Sequence, residues 1–111
     1  GLHGASMLMA TLYFGRDVAD RPPVSDRDWL NFLDTEVTPR FPAGFTVTDA
    51  NGQWYDDEQH TIVRESSKLL LIIVPRSAVS LGQLDAIADA YKQRFHQQAV
   101  GKTLVESCAA F

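Results

Sequence analysis

The sequence predicts a single α+β domain, a ferredoxin-like β-α-β-β-α-β sandwich with two helices on one face of an antiparallel sheet and room for an extra β-hairpin. Three observations predict it. The chain of 111 residues has the length of one domain. Its hydrophobic periodicities run strand, helix, strands, helix, strand, the order of two split β-α-β units. Residues 69–74, Leu-Leu-Leu-Ile-Ile-Val, are apolar at every position, as an interior strand requires when successive side chains point to opposite faces.

Residues 1–6 resemble an expression remnant and stand outside the fold, so the domain spans residues 7–111. Residues 9–14 read as the first strand, ended by Gly15. Pro22-Pro23 makes the following connection stiff. Ser25 is a good N-cap, with Asp28 three residues on in the place a capping box gives to Glu. Asp26 and Asp28 suit the positive end of the helix dipole. Trp29, Leu30, Phe32, Leu33 and Val37 follow at helical spacing, and Pro39 ends a helix over residues 25–38.

Residues 39–44 form a proline-framed loop. Residues 45–49 read as a strand, Asn51-Gly52 as a turn, residues 53–55 as a short strand and residues 56–58 as a solvated acidic turn. Residues 60–65 and 68–74 are strands, with Ser66-Ser67 as a bulge or bend between them. This stretch makes either two long bent strands or two core strands plus a small hairpin, and Asn51-Gly52 favours the second. Pro75 stops the strand. Ser77 or Ser80 caps a helix over residues 77–96 whose stripe is Leu81, Leu84, Ile87, Ala88, Tyr91 and Phe95. Trp29 and Phe95 are expected to be largely buried. Residues 100–111 read as the last strand.

Composition narrows the function classes. Hydrophobic residues make up 45% and charged residues 22%, ordinary for a globular chain. Acids outnumber bases 14 to 10, for a net charge of -4, so nucleic acid is a poor partner. The single cysteine, Cys108, forms no intrachain disulfide and is expected to pack in the core. No apolar run has the length of a transmembrane segment. Because helices cover one sheet face, half of residues 69–74 needs another cover; a second copy in a homodimer would supply it, or else the extra hairpin around residues 53–65 or the loop over residues 39–44 folds over that face within one chain. Residues 9, 11 and 13, or else residues 10, 12 and 14, would join that second face.

Five segments together resemble a known family. They are Leu12-Tyr13-Phe14-Gly15-Arg16, Thr38-Pro39-Arg40-Phe41-Pro42, Gly52-Gln53-Trp54, Arg64-Glu65-Ser66-Ser67-Lys68, and residues 90–98 from Ala90-Tyr91 to Gln97-Gln98. In these the chain is similar to the bacterial family filed as domain of unknown function 3574, from about Leu12 to Phe111. The resemblance implies no assigned activity and no catalytic role that can be carried over. It does imply an exported, periplasmic or lipoprotein-derived protein, since members often begin with an export or lipoprotein-type leader; no such leader is visible in residues 1–111.

The polar residues of those segments are the candidate ligand-binding residues: Arg16, Arg40, Arg64, Glu65, Lys68, Tyr91, Arg94 and His96. Arginine is suited to forked binding of carboxylate or phosphate, so one reading is an anion pocket in which Tyr, Arg and Glu converge. The structural reading ranks ahead of it: Arg64, Glu65 and Arg94 pair locally, and Arg94 and His96 favour a helix C-terminus. His60 and His96 lack metal-ligand spacing, Cys108 has no CxxC partner, and Asp56-Asp57-Glu58 lacks the layout of a calcium loop. Cys108 with His96 as nucleophile and base ranks well below core packing. No nucleotide loop occurs, so no metal and no cofactor is expected.

Three functions follow. The first is a dimeric domain that binds a small anionic ligand. The second is a cofactor-independent enzyme using Tyr91, Arg94, Glu65 or His96 on a small anionic substrate; a deep pocket lined by Arg64, Glu65 and Arg94 would favour it. The third is a protein-interaction module displaying Trp54-Tyr55, which an exposed Trp54 would favour.

Overall fold

The structure, a computed structural model, describes residues 4–111. Its elements are β1 (Ala5–Gly15), α1 (Asp26–Phe32), β2 (Thr46–Asp56), β3 (Thr61–Val74), α2 (Ala78–Phe95) and β4 (Gly101–Ala109). All pairings are antiparallel, in the order β2-β3-β1-β4. The fold is the α+β, ferredoxin-like arrangement that the periodicities predict. β1 starts earlier than the boundary drawn from the sequence: Ala5 pairs with Ala109 and Ser6 with Cys108. Of the residues set aside as a remnant, Gly1–His3 lie outside the described residues.

Ser25 caps α1, its Oγ accepting from the Asp28 amide at 3.0 Å. The helix runs on into a single π turn, Leu33–Val37, where the Thr38 amide reaches back five residues to the Leu33 carbonyl at 2.8 Å. The wider turn keeps both Leu33 and Val37 buried. Ser77, rather than Ser80, caps α2, and His96 closes it in the left-handed conformation at φ 55°.

The largest departure from expectation lies in residues 46–74. Asn51-Gly52 is no turn, and there is no separate small hairpin. The β2–β3 ladder is continuous from Thr46 opposite Leu71 to Asp56 opposite Thr61, with Asn51 opposite Ser66 and Gly52 opposite Glu65. The chain reverses after Asp56 instead. Asp56 Oδ1 accepts from the amides of Glu58 at 2.9 Å and Gln59 at 3.1 Å, and His60 takes a left-handed φ of 54°. An Asx turn with a tolerant left-handed residue competes directly with an Asn-Gly turn. It wins here because it lets eleven residue pairs form one ladder. β1 pairs with β3 only from Ser67 onward, so the distal half of the hairpin projects as a two-stranded arm.

Under the helices, the sheet contributes Ala10, Leu12, Phe14, Leu70, Ile72 and Val74 to the core. Phe14 is its centre, with ring centroids 5.2 Å from Trp29, 5.9 Å from Phe32 and 4.7 Å from Tyr91. Trp29 is buried as expected, whereas Phe95 is only half-buried. Phe95 sits in the last turn of α2 and packs on Tyr91 at 4.8 Å from the rim of the cluster. Leu30 belongs off the apolar stripe, being 59% exposed. Cys108 is exposed near the end of β4, not packed in the core. That end lies opposite the start of β1, whereas His96 precedes the other end of β4, so the two do not form a nucleophile and base pair.

Alternation fixes the other sheet face. Since residues 10, 12 and 14 are buried, Met9, Thr11 and Tyr13 point away from the helices. Leu69, Leu71 and Ile73 of β3 and Val105 of β4 join them by register. The arm continues the sheet and leaves this face uncovered. The loop before β2 reaches its margin, where Ala43, Phe45 and Phe111 edge a hollow of about 540 Å³ with Leu71 and Ile73.

Candidate functional site

The eight candidate residues do not meet in one place. They divide among three clusters, with one residue left apart. In the first cluster, Lys68 stands on the core face of β3 and is 8% exposed. Its aliphatic stem runs outward to bring the ammonium onto Asp49, with Asp26 at 3.4 Å. Arg16 reaches the same Asp26 at 3.2 Å while its Nε donates to the Val24 carbonyl at 2.9 Å. The hydrogen bond from Lys68, and then its charge, hold the Asp49 carboxyl below the ordinary aspartate range.

Glu36 organises the second cluster. It accepts from Arg40 at 2.8 Å and from Arg94 at 3.3 Å, and Arg94 also donates to Thr35 Oγ1 at 3.0 Å. The Arg94 guanidinium lies over the Phe32 ring, 5.4 Å from its centroid. Arg94, Phe95 and His96 line one wall of a cavity of about 470 Å³ beneath the 18–25 connection, with Arg21 and Asp28 facing them. Arg64 is in neither cluster. It projects from the arm on the face opposite to Glu65 and makes no ion pair among the described residues. The expected convergence of Arg64, Glu65 and Arg94 is therefore absent, because neighbouring strand positions point to opposite sides and Arg94 turns toward Glu36.

The third cluster surrounds Gly15. Beneath the sheet, the Tyr91 hydroxyl donates to the Gly15 carbonyl at 2.6 Å. Burial pushes the Tyr91 pKa well up, so the phenol keeps its proton. Above the sheet, Glu65 lies across Gly15, where an added Cβ would collide with Glu65 Oε1. Gly52 stands opposite Glu65 on β2, also without a side chain. Gln97 donates to the Asp17 carbonyl at 2.6 Å, which sets its amide beside Gly15. Burial raises the Glu65 pKa above the ordinary glutamate range; the Asp17 carboxylate adds to this and the Asp17 amide partly offsets it.

While Tyr91 stays buried beneath the sheet, Gly15, Asp17, Gly52, Glu65 and Gln97 line an open groove of about 810 Å³ at one end of the uncovered face, with Tyr13, Trp54, Ser67 and His96 among its other walls. Its charged side chains are carboxylates, and no Lys or Arg lines it. It can accept hydrogen bonds and offers two aromatic surfaces. Of the groove's lining, sequence reasoning named Glu65 and His96 but missed Gly15, Gly52, Asp17 and Gln97; Tyr91, also named, only supports Gly15 from below. Gly15 read as a strand end and Gly52 as a turn. The signal available was a glycine in each of the segments that also hold Tyr13, Trp54 and Glu65.

Among the described residues, no group of three or more His, Cys, Asp or Glu is placed to hold a metal ion, and no helix is long and apolar enough to cross a membrane.

Several solved structures are similar in fold. A phage SAM lyase in complex with S-methyl-5'-thioadenosine aligns at a TM-score of 0.65 and 18% identity, over 98% of this chain and 97% of that one. A phage SAM lyase in the apo state gives 0.66 and 17%, over 100% and 96%. CutA from Synechococcus elongatus complexed with Bis-Tris gives 0.60 and 13%, over 100% and 90%. At such identities the likeness shows the fold alone. No curated protein matches the chain. A family model does match, over residues 9–111, and the chain belongs to that family, described as protein of unknown function (DUF3574).

Proposed function

We propose that the chain is a small-ligand-binding domain that works as a homodimer, with the ligand in the Gly15–Glu65 groove and a second copy against the uncovered sheet face. The observation that carries this reading is the continuity of the two features: the groove opens at the end of an apolar face that no element among the described residues covers. Monomers rarely leave apolar patches of more than a few hundred Å² in water. The arm points the same way, since a two-stranded ribbon is marginal unless it packs on something. Two solved neighbours of this fold hold small molecules, S-methyl-5'-thioadenosine in one and Bis-Tris in the other, which supports a ligand role for such a scaffold.

The anionic ligand expected from the sequence has less support at this groove. Arg16, Arg40, Lys68 and Arg94 already face carboxylates. Arg21, in the cavity beneath the 18–25 connection, and Arg64, on the arm, make no ion pair among the described residues, and neither lines this groove. An interaction role has its own support in Trp54, 52% exposed, and in Tyr55 and Ile62, exposed on the opposite face of the arm. The enzyme reading loses the shared pocket of Arg64, Glu65 and Arg94 that would have favoured it.

Sedimentation equilibrium at micromolar concentration tests the assembly. A dimer is expected, and Leu71→Asp is expected to give a folded monomer; a strictly monomeric native chain would refute the dimer. Saturation-transfer NMR against a set of small polar molecules tests the site. Hits that vanish in Trp54→Ala are expected, and a set with none would refute the ligand role.

A further inference from the structure

The groove's chemistry narrows its ligand. Glu65 brings a carboxylate into it with no Lys, Arg or His within ion-pair distance among the described residues. His96 also lines the groove but forms no ion pair with Glu65, and the arginines next in sequence to Glu65 and Gly15 point elsewhere. Arg64 stands on the opposite face of the arm, and Arg16 is held by Val24 and Asp26. A second acceptor stands beside the first. Gln97 spends its Nε2 on the Asp17 carbonyl, and its free Oε1 lies 3.7 Å from the point where a Gly15 Cβ would sit. Glu65 Oε1 crowds that same point. Two acceptors thus converge over a floor kept bare by glycine, next to the aromatic rings of Trp54 and Tyr13. A carboxylate pairs best with a donor that carries charge and more than one N–H, and an aromatic face attracts such a cation as well.

We propose that the groove takes a small organic cation with a flat apolar part, its ammonium or amidinium head on Glu65 and Gln97 above Gly15 and its flat part along Trp54 and Tyr13. This rests on the reading of the groove as a ligand site, and the test separates the two. Benzamidine and benzoate present the same ring with opposite charge. Each is titrated into the full isotope-labelled chain while the amide signals of residues 13–17 and the Trp54 indole are followed. Benzamidine is expected to shift these signals saturably, and benzoate to leave them in place. Glu65→Gln is expected to weaken benzamidine binding about tenfold or more, the order of a charged hydrogen bond. Gly15→Ala is expected to weaken it similarly without unfolding the chain, because the new methyl meets the flexible end of Glu65 and pushes the carboxylate aside. Benzoate shifting these signals as strongly as benzamidine would overturn the cation assignment and leave the ligand site standing. So would unchanged benzamidine binding in Glu65→Gln. If neither compound moves these signals, both the cation assignment and the ligand groove fall.

Discussion

Replacing Phe14 with Leu should remove the centre of the core without changing the fold. The ring is completely buried and touches Trp29, Phe32 and Tyr91 at once. Leucine keeps four of the seven side-chain carbons. At roughly 0.8 kcal/mol per buried carbon, the missing part costs about 2–2.5 kcal/mol. Loss of aromatic pairing, worth about 0.5–1.5 kcal/mol per contact and not fully additive, brings the expected cost to about 3–4 kcal/mol. A domain of this size has about 5–15 kcal/mol in total, so the variant should still fold. Urea titration followed by the fluorescence of Trp29 reads the loss as a lower midpoint at unchanged slope. Protein concentration must be held constant, since association adds to apparent stability. Phe95→Ala is the contrast. A fully buried ring costs about 3–5 kcal/mol on truncation, and the half-buried Phe95 should cost less, about 2 kcal/mol. A change below about 1 kcal/mol for Phe14→Leu would refute the placement of this ring at the centre of the core.

Other expectations concern the polar clusters. His96 ends α2 in a left-handed conformation that costs a side-chain-bearing residue about 1 kcal/mol, so His96→Gly should hold or raise the melting temperature; a clear drop would mean that its imidazole has a structural partner. Asp49 titrates below its unfolded value, so the stability it contributes is complete above the ordinary aspartate range and is lost as pH falls through its lower folded value. Acid unfolding curves should therefore show a component that Lys68→Met removes, and identical curves would refute the pairing. Glu65 has the opposite sign: its folded pKa lies above the unfolded one, so stability falls as pH rises through the folded value. Glu65→Gln should stabilise the protein at neutral pH, with the gain fading in acid, and a destabilised Glu65→Gln would show that the Asp17 amide outweighs the cost of burying the carboxylate.

Local chemistry carried most of the fold into the sequence. Ser25 with Asp28, Ser77 with the stripe through Leu84, Ile87 and Tyr91, and the proline stops describe elements that form from near neighbours, so their spacing alone predicts them. The unbroken apolar run of residues 69–74 likewise announced an interior strand with a face to spare. Asn51-Gly52 misled because a turn preference is only a local bias. The ladder between β2 and β3 is a sum over many pairs far apart in the chain.

The same division runs through the site. The sequence by itself determined that the chain is a small α+β domain whose helices cover one sheet face, with an apolar strand that needs a second cover. Only the tertiary structure decided which of its polar residues meet. Lys68 reaches Asp49 and Asp26 across strands, Arg94 of α2 joins Arg40, four residues on from Glu36, at the Glu36 carboxylate, and Glu65 comes to rest on Gly15 because strand register brings a bare glycine beside it. Side-chain convergence depends on register and on the direction a strand residue faces. Both are fixed by pairing between segments fifty residues apart, which no local pattern encodes.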